Sequence, residues 1–436
     1  AQSLIGVTQD LGALWKPLEG LTANIKFSWD AWNTTIQRRS KTSSYYHARG
    51  RNEDGTLRYD ELDGIKVPVH TGSENLAFGI GRDGTMTRYV EGSLNYNRLF
   101  NDVHRVGALF LYNHKIHTKT QAGSSDAALP YKNQGIAGRL TYAFRDTYFA
   151  EVNMGYNGSE NFARGHRFGF FPAFALGWMV SNEKWFEPVT KVVDMLKLKG
   201  SWGTLGNQNL DKAYPAEPLL TNAYSAVFGK PSAIYPGYQL SYLPNPHLRW
   251  EKVEAWEVGA EANFLRNRLH FEGVYYKKTT KDLLAEVPGI SGTVPGIGNL
   301  GSIENKGVEL AVSWRDQIGD WGYNVGANLT TIKNKVLSLV QEGYSIIAGD
   351  KSQSYTMAGY PIGYFYGYKV EGVYQTQEEI NNSPKNTLAT VTPGDLKFKD
   401  VDGNGEITPA DRTLIGAPTP DVTYGITCLL YTSDAA

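Results

Sequence analysis

Residues 133–182 constrain the fold more tightly than any other stretch of the chain. Apolar and polar residues alternate over residues 136–144, and the alternation restarts at Tyr148 after a short polar connection at residues 145–147. A period of two is typical of a β-strand with two different faces. The pattern therefore predicts a β-hairpin with strands of about ten residues, the length that a tilted strand needs to cross a bilayer. Its apolar face comprises Ile136, Gly138, Leu140, Tyr142 and Phe144, followed by Tyr148, Ala150, Val152, Met154 and Tyr156.

Charged side chains avoid the apolar face of this hairpin and of similar stretches. The alternation recurs at residues 21–31, 90–96, 256–264, 308–314 and 321–329. Within these windows the charged residues fall on the polar faces, namely Lys26, Asp30, Glu91, Arg139, Glu151, Glu257, Glu261 and Glu309. A lipid-facing Arg or Lys near the bilayer midplane costs about 2–4 kcal/mol, so contact with lipid would enforce this separation. A soluble β-sandwich also separates charge, but its strands are usually shorter, about 5–6 residues.

The connections between the predicted strands alternate in length. Short connections lie at residues 16–20, 145–147, 265–268 and 315–320, and long ones at residues 33–70, 117–132, 206–249, 279–304 and 375–420. Short turns at one end and long loops at the other are typical of outer-membrane barrels. We therefore predict an all-β fold, an antiparallel transmembrane β-barrel with about 12–14 strands and long extracellular loops. These loops are expected to contact a ligand or partner, with variable surface loops as the alternative.

Composition narrows the class of protein. Of the 436 residues, 20% are charged and 41% are hydrophobic, which excludes a disordered chain and a helical membrane protein. Aromatic residues make up 12%, led by 27 Tyr, and this excess suits strand surfaces and interfacial girdles. The net charge of −1 gives no basis for nucleic-acid binding, and the single Cys428 excludes an internal disulfide and a cysteine-based metal site.

Residues 400–411 carry the strongest local motif. They match the spacing of a calcium-binding loop at positions 1, 3, 5, 6 and 12, with aspartate in place of the usual final glutamate. Short acidic side chains at alternate positions converge on a hard cation, and a glycine allows the sharp turn between them. The sequence therefore predicts a Ca²⁺ site, and the alternative is a loop whose side chains bond only its own backbone. The predicted ligands are Asp400, Asp402, Asn404, Asp411 and the backbone carbonyl of Glu406.

The other local patterns give weaker evidence for a functional site. Residues 79–84 and 296–301 fit G-x-G-x-x-G, but strand-like sequence follows both, so we interpret them as glycine-rich turns rather than dinucleotide sites. Helical spacing of apolar residues after Pro188 predicts one short helix at residues 187–196. The eight His residues do not cluster, and neither H-E-x-x-H nor G-x-S-x-G occurs. We therefore predict that the chain is not an enzyme, and we assign no catalytic residues.

Five blocks of the sequence resemble one family, in the same order along the chain. They are residues 133–186, 196–208, 250–284, 295–314 and 394–425, the last of which contains DVDGNGEITPAD. Together they resemble the barrel of SusC/RagA-type TonB-linked outer-membrane transporters. The resemblance implies a barrel of about 22 strands filled by a plug, placed in the cell outer membrane and surrounded by its lipid. It also implies import of an oligosaccharide or peptide, driven by the TonB–ExbB–ExbD system, with a SusD-like surface lipoprotein closing the extracellular mouth.

The chain departs from this family in several respects. It shows no TonB box, no plug and no N-terminal extension, and it stops soon after the 400–411 loop. We therefore expect an incomplete barrel, with residues 1–427 as a partial barrel domain and residues 428–436 as a non-native tail. The expected function is TonB-dependent nutrient import, with the cargo and the substrate-binding residues unassigned. The alternatives are a passive barrel, a secreted calcium-dependent adhesin or glycan-binding β protein, and an outer-membrane hydrolase.

Overall fold

The computed structural model describes a chain that is almost entirely β-structure. It describes residues 2–62, 65–73, 75–122, 128–210, 214–223, 225–229, 233–287, 296–339, 345–348 and 353–432. No helix within these ranges combines the length and the apolar character needed to cross a membrane. The prediction of an all-β fold is confirmed.

One antiparallel sheet of 14 strands organises the chain. The strands, numbered along the chain, are β1 (Gln2–Asp10), β2 (Leu21–Ser40), β3 (Ala77–Phe100), β4 (His104–Lys119), β5 (Tyr131–Phe144), β6 (Tyr148–Ser159), β7 (Phe168–Met179), β8 (Val193–Asn207), β9 (Glu251–Phe264), β10 (Leu269–Lys281), β11 (Ser302–Ile318), β12 (Trp321–Thr331), β13 (Lys333–Ser338) and β14 (Val422–Thr432). From β1 to β12 each strand neighbours the next one along the chain, and β14 neighbours β12. β13 follows β12 after Ile332 and pairs with β11.

The hairpin of β5 and β6 has the register that the sequence predicts. Leu140 lies opposite Val152, so the two apolar faces become one. Arg145 and Asp146 in the turn adopt φ values of 54° and 48°, a left-handed conformation that is uncommon for residues other than glycine. β6 then pairs with β7, where Phe174 lies opposite Val152 and extends the apolar face across a third strand.

The chain divides into two compact units, each with its own local structure. One consists of residues 1–6, 26–90 and 115–132, and the other of residues 7–25, 91–114 and 133–436. Within the first unit, three small antiparallel pairs follow β2. They join Tyr45–Tyr46 to Pro68–His70, Ala48–Arg51 to Leu57–Tyr59, and Glu61–Leu62 to Ile65–Lys66.

The long connections of the second unit contain further short elements. A four-stranded sheet joins Ser345–Ala348, Ser354–Met357, Tyr364–Tyr368 and Arg412–Gly416. Two-stranded pairs join Leu220–Asn222 to Tyr238–Leu240, Ala226–Phe228 to Ala233–Tyr235, Leu284–Val287 to Gly296–Asn299, Val370–Val373 to Leu396–Phe398, and Lys385–Asn386 to Glu406–Ile407. Across both units, the helices within the described residues are α1 (Gln377–Asn381) and the 3-10 helices Lys16–Leu18, Val180–Asn182, Lys184–Val189 and Pro409–Asp411.

A small apolar core lies at the bases of the long connections. The buried cluster comprises Phe162, Phe171, Leu248, Trp250 and Ile297. Phe162 follows β6, Leu248 and Trp250 precede β9, and Ile297 follows β10. The core therefore ties three connections to β7, while the long strands extend away from it.

Four sequence interpretations are corrected or refined. The stretches at residues 79–84 and 296–301 are not simple turns, because residues 79–84 lie within β3 and Gly296–Asn299 form a strand paired with Leu284–Val287. In place of the predicted helix at residues 187–196, the chain forms a 3-10 helix at Lys184–Val189 and enters β8 at Val193. Pairing of β8 with β9 outweighs the helical spacing, because tertiary context overrides local propensity. The long connection predicted at residues 375–420 begins earlier, after β13. β14 also includes residues 428–432 of the predicted tail, and the non-native origin of that tail stays a prediction.

Candidate functional site

The even-numbered residues of β5, β6 and β7 form one apolar face that is open to the surroundings. Leu140, Phe174 and Leu176 are 54%, 47% and 69% exposed, and Trp256 on β9 is 53% exposed. Soluble proteins rarely expose apolar patches of more than a few hundred Å². An exposed apolar face that continues across several strands is the arrangement that lipid contact requires.

Aromatic side chains mark both ends of this apolar face. At the short-turn end, the rings of Tyr148 and Trp178 stack with centroids 6.4 Å apart. At the long-loop end, the rings of Tyr156 and Phe168 stack with centroids 5.0 Å apart. The two tyrosines on β6 are separated by about 27 Å along an extended strand. This separation, measured along the strand and without correction for strand tilt, is comparable with the apolar band of outer-membrane barrels. That band is about 25 Å tall between its aromatic girdles.

The opposite face of the sheet carries a polar network. Lys199 Nζ donates to Glu261 at 2.5 Å and to Glu272 at 2.7 Å, and these two glutamates lie directly opposite each other. Two facing carboxylates repel, so the ammonium between them stabilises the pair. Glu272 also lines a cavity of about 350 Å³ together with Glu257 and Lys278. This face therefore offers donors and acceptors of both charges.

The 400–411 loop brings three of the five predicted metal ligands together. Carboxylate oxygens of Asp400, Asp402 and Asp411 lie within 4.8 Å of one another. Asn404 lies next to them, since its Nδ2 donates to Asp402 at 2.9 Å. The carboxylate of Glu406 does not join the group, in keeping with a residue predicted to offer its backbone carbonyl.

The same carboxylates also bond backbone groups of the loop. Asp400 accepts from two glycine N–H groups at 2.7 and 2.8 Å. The buried Asp411 accepts from the N–H groups of Thr408 and Val401 at 2.7 and 2.8 Å, and with Thr408 it forms the capping box of Pro409–Asp411. These backbone donors hold the pKa of Asp411 below its usual range. The loop thus keeps anionic oxygens together, and both the calcium prediction and its alternative remain consistent with this geometry.

Sequence reasoning missed a tyrosine cluster in the last long connection. Tyr364 is 1% exposed and stacks on Tyr360 with ring centroids 4.9 Å apart. The ring of Tyr355 lies 4.6 Å from that of Tyr366. The density of tyrosines over residues 355–368 was the available signal. The cluster packs the small four-stranded sheet and so stabilises the connection.

An exposed aromatic pair stands on the connection between β8 and β9. Phe228 and Tyr235 lie on facing strands, are 63% and 55% exposed, and have ring centroids 5.8 Å apart. Exposed aromatic residues are enriched where proteins bind partners. The pair is therefore a candidate contact surface on a long loop.

Comparisons with known proteins agree on one family. The family model described as TonB dependent receptor-like, beta-barrel matches residues 5–413. TonB-dependent receptor P3 of Formosa agariphila is 29% identical over 432 residues, which cover 95% of this chain and 42% of that protein. TonB-dependent receptor SusC of Bacteroides thetaiotaomicron is 30% identical over 307 residues, covering 66% of this chain and 29% of that protein. The solved structure of the RagAB peptide transporter superposes with a TM-score of 0.70 at 20% identity, covering 95% of this chain and 44% of that one.

The chain spans less than half the length of these relatives, with coverage of 42%, 29% and 44%. The likeness to RagAB concerns the fold. TonB-dependent receptors are β-barrel proteins of the outer membrane and are transporters rather than enzymes. The predicted β-barrel class and the predicted outer-membrane location are therefore confirmed. With its open apolar face, its polar face and a match over residues 5–413, the chain belongs to the TonB-dependent receptor-like β-barrel family.

Proposed function

We propose that the protein containing this chain imports a nutrient across the outer membrane with energy from the TonB–ExbB–ExbD system. The observation that carries the proposal is a sheet with one apolar and one polar face. The chain that forms it matches the TonB-dependent receptor family over residues 5–413. In this proposal the apolar face contacts lipid, while the polar face around Lys199 lines the interior. Import of this kind needs binding and movement but no covalent chemistry, and so it needs no catalytic residue.

The proposed cargo is an oligosaccharide or a peptide. The polar face carries both ammonium and carboxylate groups, as Lys199, Lys278 and Glu272 illustrate. Such a mixed lining fits the hydroxyl groups of a sugar and the charged groups of a peptide. An uptake assay that offers both classes distinguishes them.

The experiment measures uptake of fluorescently labelled oligosaccharides and peptides by cells that produce the protein containing this chain. Uptake of one class is expected, and deletion of the cells' TonB is expected to abolish it. Uptake that continues without TonB would instead support a passive barrel. Recovery of the protein as a soluble monomer without detergent would favour the adhesin alternative.

We further propose that a SusD-like surface lipoprotein closes the extracellular mouth, with Phe228 and Tyr235 among the contacts. Both rings are more than half exposed on a long connection. Aromatic residues at the centre of an interface often contribute about 2 kcal/mol each, so replacing either one with Ser should weaken binding roughly 30-fold. Co-purification with the lipoprotein measures this effect. Tyr424→Ser serves as the control, since Tyr424 is 76% exposed on β14 within the sheet.

We also propose that the 400–411 loop binds Ca²⁺. The convergence of Asp400, Asp402 and Asp411 within 4.8 Å supports it. Calorimetric titration of the detergent-solubilised protein with CaCl₂ tests it, with Asp402→Asn as the variant and Asp395→Asn, outside the loop, as the control. Binding that Asp402→Asn weakens and Asp395→Asn leaves unchanged is expected. No binding at millimolar calcium would leave only a loop that bonds its own backbone.

A further inference from the structure

On β10, β11 and β13 the apolar face ends in lysine side chains. Lys277, Lys306 and Lys333 lie directly opposite one another on these three strands and form what we name the lysine row. On β9 the residue opposite Lys277 is Trp256, whose ring centroid lies 5.9 Å from that of Trp202. Lys277 lies four residues before the end of β10, and Lys306 lies four residues after the start of β11. The row therefore lies near the long-connection end of the sheet, the end at which an outer-membrane barrel meets the lipid headgroups.

The lysine row carries more positive charge than its neighbours neutralise. Directly opposite residues on paired strands are about 4.5–5.5 Å apart, and like charges in such positions repel. Glu304 lies 3.0 Å from Lys277 and 3.2 Å from Lys306, so one carboxylate serves two lysines. Lys333 and the nearby Lys335 make no ion pair within the part of the chain that the structure describes. An external anion would relieve this repulsion.

A cavity of about 850 Å³ adjoins the lysine row. Its lining includes Lys306, Lys333, Lys335, Asp421, Tyr275 and Val308. Tyr275 and Val308 belong to the apolar face and are 50% and 37% exposed. The cavity thus places three ammonium groups beside an apolar wall, with a single carboxylate among the lining side chains, and this combination fits an amphiphile with an anionic head.

We propose that the lysine row and this cavity bind the phosphate group of a phosphorylated glycolipid in the outer leaflet of the membrane. All three strands meet the long connections at this end, and in outer-membrane barrels the long connections are extracellular. Lysine binds phosphate as a point charge, and the acyl chains of the lipid would lie against Tyr275 and Val308. The proposal rests on membrane placement and is independent of nutrient import.

The test uses the protein containing this chain in nanodiscs made of a zwitterionic phospholipid. The probes are diphosphoryl lipid A, the same lipid after removal of its phosphates, and inorganic phosphate. The wild type is expected to bind the phosphorylated lipid preferentially. The triple variant K277Q/K306Q/K333Q is expected to bind it roughly 100-fold more weakly, because each lysine near an anionic surface contributes about fivefold.

Lys278→Gln provides a matched control for Lys277→Gln. Lys278 is the next residue on β10, points to the polar face and lies 3.7 Å from Glu257, so its loss should leave lipid binding unchanged. If the triple variant does not fold, Lys333→Gln alone is expected to weaken binding about fivefold. Three results would each overturn the proposal: unchanged binding by the folded variants, equal affinity for the dephosphorylated lipid, or inorganic phosphate binding as tightly as the lipid.

Discussion

The two faces of the sheet from β5 to β10 follow the same two-residue period but hold their side chains differently. On the apolar face, Leu176 and Val258 are 69% and 65% exposed, so no second layer formed by the described residues covers them. On the polar face, Lys199, Glu261 and Glu272 bond one another. The charged groups of the polar face therefore find their partners within the protein. The apolar side chains, in contrast, can be removed from water only by the medium that surrounds the protein.

This contrast shows where the stability of the region comes from. The buried cluster around Leu248 and Trp250 lies at the bases of the loops rather than under the strands. Hydrogen bonds between strands hold the sheet together, but burial of its apolar side chains depends on hydrocarbon. Changes that alter one face while leaving the other intact should therefore have very different effects.

The largest expected effect comes from placing a charge at the middle of the apolar face. Leu140 lies opposite Val152, which is midway between the two tyrosine girdle positions of β6. Leu140→Arg should lower the free energy of unfolding by about 2–4 kcal/mol, the cost of arginine facing hydrocarbon near the midplane. Denaturant titration of the protein in lipid vesicles measures this cost.

Thr141→Arg is the matched control for Leu140→Arg. Thr141 is the next residue on β5 and lies opposite Glu151 on the polar face, where an arginine can form an ion pair. Thr141→Arg should therefore lower the free energy of unfolding by less than about 1 kcal/mol. Equal destabilisation by the two variants would contradict the assignment of the faces.

A smaller effect is expected from removing the cation of the polar face. Lys199→Met leaves Glu261 and Glu272 facing each other without a counterion. The side chains of Lys199 and Glu261 are 33% and 26% exposed, so solvent partly screens the repulsion between the two carboxylates. The free energy of unfolding should therefore fall by about 1 kcal/mol. Unfolding in vesicles measures it, and Lys199→Arg should restore most of the stability. A loss of the same size with arginine would show that packing rather than charge is responsible.

The smallest effect concerns the aromatic girdle at the short-turn end. Glu183 accepts hydrogen bonds from Tyr148 Oη and Trp178 Nε1 at 2.5 and 3.1 Å. Glu183→Ala should lower stability by less than about 1 kcal/mol, because water and lipid headgroups can replace the lost acceptor at this height. Tryptophan fluorescence during unfolding in vesicles reports the change, and a larger loss would place these rings away from the interface.

The strands and faces could be predicted from the sequence because their determinants are local. The alternation on either side of residues 145–147 defines both the turn and the register, so Leu140 and Val152 had to face each other. The approach of Asp400 to Asp411 was also predictable, since a calcium-loop spacing acts within twelve residues.

Features that depend on pairing between distant segments could not be predicted. The lysine row arises from the register of β10, β11 and β13, and each of its lysines lies outside the windows of clear alternation. The spacing of apolar residues at 187–196 suits a helix, and only the pairing of β8 with β9 makes its last four residues, 193–196, a strand. The tyrosine cluster likewise depends on a small sheet that Arg412–Gly416 closes from across the connection.

The most direct test of the account is spin-label scanning of residues 136–144, with the protein in lipid vesicles and Cys428 replaced by Ser. Accessibility to oxygen, which concentrates in hydrocarbon, is compared at each position with accessibility to an aqueous nickel complex. We expect the even-numbered positions to favour oxygen and the odd-numbered positions to favour the nickel complex. A profile without this period, or one in which the even-numbered positions are shielded from both reagents, would contradict the claim that the apolar face meets lipid.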